Sequence, residues 1–139
     1  MLTKTITYVD LNGVSQTETY LFNMNKAELG RMQVKMDGKY IDYLQQLVAG
    51  KKIEELYNFF YTLVLDSYGE KSEDGKHFYK SEERKRDFEC SVAFSEILID
   101  TIGDADKMSA FTKGILPPDM VTKAGDVDVK AIEAASANA

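Results

Sequence analysis

The sequence predicts an α+β domain that is mostly α: an N-terminal β-hairpin packed on a small helical bundle of about five helices. Residues 2–22 alternate with the period of a strand, and residues 26–115 place apolar side chains at helical spacing with cap residues between the runs. A chain of 139 residues supplies one hydrophobic core but not two. The expected organisation is a single globular domain over residues 1–118, with the hairpin in 2–22 and the helices within 26–115, followed by a flexible C-terminal tail over 119–139.

From Leu2 to Val9, the side chains Leu2, Lys4, Ile6 and Tyr8 fall on one face and Thr3, Thr5, Thr7 and Val9 on the other. Thr, Ile, Tyr and Val all favour strands. Asp10-Leu11-Asn12-Gly13 supplies the turn, because Asn and Gly tolerate positive φ, and Ser15 to Phe22 alternates again on the return. Two strands alone are marginal in water, so Ile6, Tyr8, Tyr20 and Phe22 are the side chains expected to meet the helices. Asn25 and Glu28 have capping-box spacing, which predicts a short helix from Lys26 to the neighbourhood of Asp37-Gly38. Tyr40, Ile41, Leu44, Leu47 and Val48 keep helical spacing up to Gly50, a residue suited to a left-handed C-cap.

The strongest periodicity runs from Lys52 to Tyr68, through Ile53, Leu56, Tyr57, Phe60, Leu63 and Val64. On a helical projection Glu54, Glu55, Asn58, Thr62 and Asp66 cover only about a third of the circumference. Phe59, Tyr61 and Leu65 sit on the margins. A helix this apolar is either the centre of a small domain or offers a second strip to another chain, whether a client or a second copy in a homo-oligomer. Tyr57 and Phe60 therefore read as core, and Phe59, Tyr61 and Leu65 as candidate partner-binding residues.

Glu70 to Lys80 is a charged connector with Asp74-Gly75 at a tight turn or short hairpin. Ser81 is a good N-cap, and Phe88, Val92, Ile97 and Leu98 predict one long helix reaching Gly103. Asp104 caps a shorter helix carrying Met108, Phe111 and Ile115. Pro118 biases Pro117 away from helical ψ, so the ordered chain is expected to stop there, although Val127 to Ala135 could become helical against a partner.

Composition excludes several classes of function. Seventeen Lys and Arg against 23 Asp and Glu give a net charge of −6, a field that repels phosphate backbones, so no nucleic-acid partner is expected. The longest apolar runs, such as Leu63-Val64-Leu65, fall far short of the roughly 20 residues of a membrane span. Met1 to Asp10 has no apolar signal core, which makes the cytoplasm the expected compartment. One cysteine and one histidine cannot make a Cys/His zinc set. His77 reads as a solvent-facing connector residue, and Cys90, within the predicted long helix, as a buried or half-buried structural cysteine. Glu70, Glu73 and Asp74 lack the ligand alternation of a calcium loop, and the Lys80 to Arg86 run mixes both charges like a solvated helix start. No GxxxxGK[ST], GxGxxG or GxSxG occurs. No catalytic, cofactor-binding or metal-binding residue is predicted.

One segment points further. Tyr68-Gly69-Glu70-Lys71-Ser72-Glu73-Asp74-Gly75, continuing through Phe78-Tyr79-Lys80-Ser81, resembles a pattern of the tail assembly chaperones of long-tailed bacteriophages. The strand-turn-strand opening that leads to Tyr20-Leu21-Phe22-Asn23 and Glu28-Leu29 is similar too. So are Ser91-Val92-Ala93-Phe94-Ser95-Glu96 and Phe111-Thr112-Lys113-Gly114-Ile115-Leu116-Pro117, which look like that family's last two helices and proline stop. The resemblance covers roughly residues 3 to 118 in order. It implies a non-catalytic protein of the host cell cytoplasm that binds the tape measure protein, keeps it soluble, recruits tail tube subunits and is absent from the mature virion. The competing expectation is a structural tail component, a tube or connector subunit that stays in the particle; a small enzyme is the third.

Overall fold

The structure, a computed structural model, describes residues 1–50 and 54–121. The predicted helix start at Lys52-Ile53 and the segment Val127 to Ala135 lie outside them. Strands β1 (Leu2–Val9) and β2 (Ser15–Phe22) form the hairpin, in register from Leu2 opposite Phe22 to Val9 opposite Ser15. Gly13 closes the turn at φ +76°, its N–H donating to the Asp10 carbonyl, while the Asp10 N–H donates to the Val14 carbonyl. A type I turn followed by one left-handed residue is a standard three-residue hairpin loop, and glycine enters that region without a steric penalty. The Asp10 carboxylate accepts from the N–H groups of Asn12 and Val14 and so holds the loop from inside.

Helices α1 (Lys26–Lys35), α2 (Tyr40–Val48) and α3 (Glu54–Ser67) follow. At the start of α1 the capping box is complete: Asn25 accepts from the Glu28 N–H, and Glu28 accepts from the Asn25 N–H. The connector then returns to the sheet as β3 (Tyr68–Lys71) and β4 (Phe78–Tyr79), giving the order β1-β2-β3-β4. β3 pairs with β2 only through Leu21 and Phe22, so most of the hairpin extends past the short strands as a two-stranded arm. Ile6, Tyr20 and Phe22 pack on the core as expected; Tyr8 is half-buried but stands outside it.

The long helix predicted after Ser81 is two helices, α4 (Glu82–Glu89) and α5 (Val92–Ile102). Ser91 causes the break: its hydroxyl accepts from the Phe94 N–H to cap α5 while donating to the Phe88 carbonyl. Cys90, at the joint, is exposed rather than buried, because the break turns it to solvent. Asp104 caps α6 (Ala105–Ile115) through two N–H groups. The proline pair does not end the folded chain. Pro118–Met120 form a 3-10 turn, Met120 is 1% exposed, and Asp119 forms an ion pair with Lys26 at the start of α1.

The core joins the sheet to the helices through a run of rings. Tyr68 stacks on Phe88 at 4.2 Å, Phe22 meets Phe88 and Phe111 at 5.8 and 5.2 Å, and Phe111 meets Phe60 at 5.5 Å. Tilted and edge-on arrangements dominate, as ring quadrupoles prefer. Gly69 lies on β3 beside the end of its pairing with β4: a Cβ there would fall 2.5 Å from the Phe78 ring and 2.7 Å from the Tyr79 carbonyl oxygen. Only glycine lets the two strands approach so closely.

Candidate functional site

Helix α3 runs through the centre of the domain, and its apolar excess is divided between neighbours and solvent. Leu56, Phe60, Leu63 and Val64 are fully buried. Phe59 is half-buried, its ring 5.2 Å from Tyr40 and 5.0 Å from Tyr43 on α2. Tyr61 meets Phe94 edge-on at 5.0 Å and donates its hydroxyl to the Glu89 carboxylate at 2.7 Å, a bond that, ahead of burial, raises the phenol pKa. Leu65 is only 7% exposed. Tyr57, read from periodicity as core, is instead 43% exposed, on a strip with Glu54, Asn58 and Thr62. The i, i+4 positions 54, 58 and 62 mark the side of α3 that no other element covers among the described residues, and Tyr57 falls beside them.

That strip leads at Thr62 into a groove of about 690 Å³ between α1, α3 and the start of α4. Met32, Leu65 and Tyr68 supply its apolar lining. Of the four cations in its walls, two are held by carboxylates and two have no ion-pair partner among the described residues. Lys80 donates to Glu28 at 2.6 Å and to the Asn23 carbonyl at 2.7 Å; burial lowers its pKa, with the Glu28 hydrogen bond opposing the shift. Lys85 donates to Asp66 at 2.7 Å, and although burial works against its charge, the bond and the charge of Asp66 outweigh it and raise the pKa. Glu28 thus caps α1 with one oxygen and holds Lys80 with the other. Arg31 and Lys35, both exposed on α1, make no ion pair among the described residues. The Tyr40 hydroxyl is buried with no hydrogen-bond partner among the described residues; burial first, then the charges of Asp66 and Glu28, raise its pKa.

The structure brings Leu65 to the groove and leaves Phe59 and Tyr61 on the two flanks of α3. Sequence reasoning missed Met32, Arg31 and Lys35, which lie on α1. Their signal was present as an i, i+4 pair of cations around an apolar residue, but nothing local says that this face looks across at Leu65. His77 is exposed on the β3–β4 turn, 5.9 Å from the Tyr79 ring, and Cys90 stands apart at the α4–α5 joint. Among the described residues no cluster of His, Cys, Asp and Glu is placed to hold a metal ion, and no helix is long and apolar enough to cross a membrane.

Fold and groove together describe a small α+β domain with a charged-walled, partly apolar groove. The sequence model of a phage tail assembly chaperone family matches residues 1–138, and the chain belongs to that family. No curated protein and no solved structure matches it.

Proposed function

We propose that this tail assembly chaperone binds the tape measure protein, keeps it soluble in the host cytoplasm, helps bring tail tube subunits to it, and leaves before the tail is finished. The observation that carries this reading is the continuity between the uncovered strip of α3 and the groove whose lining includes Met32 and Leu65. A helix is about 10–12 Å across with its side chains, so a groove of this volume receives the anchor side chains of one helical face rather than a whole helix. The unspent charges of Arg31 and Lys35 favour a client face that carries carboxylates beside its apolar anchors. Because the groove is walled by hydrogen-bonded ion pairs, it is held open before the client arrives, which lowers the ordering cost of binding.

Binding of purified helical tape measure segments to the chain, measured by calorimetry, tests the assignment. The double variant Arg31→Glu, Lys35→Glu is expected to weaken it at least about tenfold at low salt, with the circular dichroism spectrum unchanged. Equal affinity of the variant and the parent chain would place the client elsewhere. Mass spectrometry of purified virions separates a chaperone, absent or far below one copy per ring, from a retained tail subunit.

A further inference from the structure

β1 is an edge strand with no guard on its outer side among the described residues. It runs eight residues without proline, glycine or bulge, and its solvent face presents Thr3, Thr5, Thr7 and Val9 with no charge among them. Natural edge strands are shortened, bulged, charged or covered, because unpaired N–H and C=O groups recruit another strand. The Asp10 N–H donates to the Val14 carbonyl across the hairpin, so by alternation the even residues of β1 direct their backbone groups at β2. Thr3, Thr5, Thr7 and Val9 therefore turn theirs to the open edge. Beside that edge, residues 2–6 border a groove of about 440 Å³ whose far wall includes Asp100 and Lys107, so space for a further strand is present.

We propose that β1 pairs antiparallel with β1 of a second copy of this chain, about a two-fold axis at Thr5, making one continuous eight-stranded sheet. The occupant follows from the register that this axis imposes. It sets Thr5 opposite Thr5, Thr3 opposite Thr7, Leu2 opposite Tyr8 and Met1 opposite Val9 of the other copy. Met1 and Val9 are 48% and 61% exposed, so two uncovered apolar side chains cover each other. The threonine pairs repeat across the new junction the arrangement already present within the hairpin, where Thr5 meets Thr19 at 2.8 Å and Thr7 meets Thr17 at 2.9 Å through their hydroxyls. Charge points the same way. Two copies of a chain at −6 repel, and residues 1–9 contain one lysine and no acid. That lysine, Lys4, falls opposite Ile6 rather than its own copy, and on the inner face it lies within electrostatic reach of Asp100.

Sedimentation of the full chain is expected to show twice the chain mass. Thr5→Pro removes an N–H that by this alternation points outward and is spent on no bond among the described residues, so it is expected to give the monomer mass with an unchanged circular dichroism spectrum. Should the proline variant fail to fold, Thr5→Lys leaves the backbone intact and sets two like charges face to face, with the same expected loss of the dimer. In a Cys90→Ser background, Thr5→Cys is expected to become a covalent dimer under copper-phenanthroline, and Thr17→Cys, one strand further from the axis, to stay monomeric. A chain that sediments as a monomer, a dimer that survives both Thr5 variants, or equal cross-linking at positions 5 and 17 would overturn the proposal. A monomer whose edge is instead taken by an extended segment of another protein belongs to the first of these outcomes.

Discussion

Gly69 has no space for a methyl group, since Phe78 and the Tyr79 backbone already occupy the position of its Cβ. Gly69→Ala is expected to lower stability by about 1–3 kcal/mol in a urea titration, because backbone cannot yield as a side chain does. Tyr40 presents the opposite case. Its ring fills the core at 1% exposure and packs edge-on against Phe59, but its hydroxyl has no partner among the described residues. An unpartnered buried hydroxyl costs about 1–3 kcal/mol, so Tyr40→Phe is expected to raise stability by about 1 kcal/mol, and a loss in the same titration would mean that the hydroxyl is bonded. Cap residues were the most legible feature at this scale: Asn25, Ser81 and Asp104 act on N–H groups two or three residues away, so their chemistry is complete within a short stretch of sequence. The tertiary roles of Gly69 and Tyr40 were not legible, because each depends on an element nine or more residues distant, β4 for the glycine and α3 for the tyrosine ring.

Among the elements, α3 shows how far periodicity reaches. Helical spacing found the helix and the burial of Phe60 and Leu63, but it placed Tyr57 in the core, because Tyr57, Phe60 and Val64 satisfy the same three-and-four rule. Which flank of an overfull helix stays uncovered is settled by its neighbours, here α2 on the Phe59 side and α5 on the Tyr61 side. Substitutions separate the two outcomes. Leu65→Asp buries a charge at a site 7% exposed and is expected to cost roughly 3 kcal/mol, whereas Tyr57→Asp, at 43% exposure, is expected to stay within about 0.5 kcal/mol of the parent chain. Thermal unfolding of the two variants checks the contrast, and equal losses would contradict this division of α3. The α4–α5 joint escaped detection for a related reason: Phe88 and Val92 keep helical spacing across it, so the apolar pattern runs on while the backbone does not. Ser91, a second cap residue inside an apparent helix, was the available signal.

For the molecule as a whole, net charge and apolar surface work together. A chain at −6 can display the strip of α3 and the groove behind it without associating at random, because like charge keeps copies apart except where the local charge is least negative. The family was legible in the order of its segments, from the strand-turn-strand opening to the final proline, and the family match now spans nearly the whole chain. The groove proposed for the client was legible only in part: Leu65 was singled out from the helix it belongs to, while Met32, Arg31 and Lys35 needed the fold to bring α1 beside α3. The most direct test of the account is co-expression of the chain with the tape measure protein of the same genome, followed by measurement of the tape measure fraction that stays in solution and co-purifies. The account predicts a large rise in that fraction with the parent chain and little or none with the Arg31→Glu, Lys35→Glu variant; a tape measure protein that is equally insoluble with and without the parent chain would contradict it.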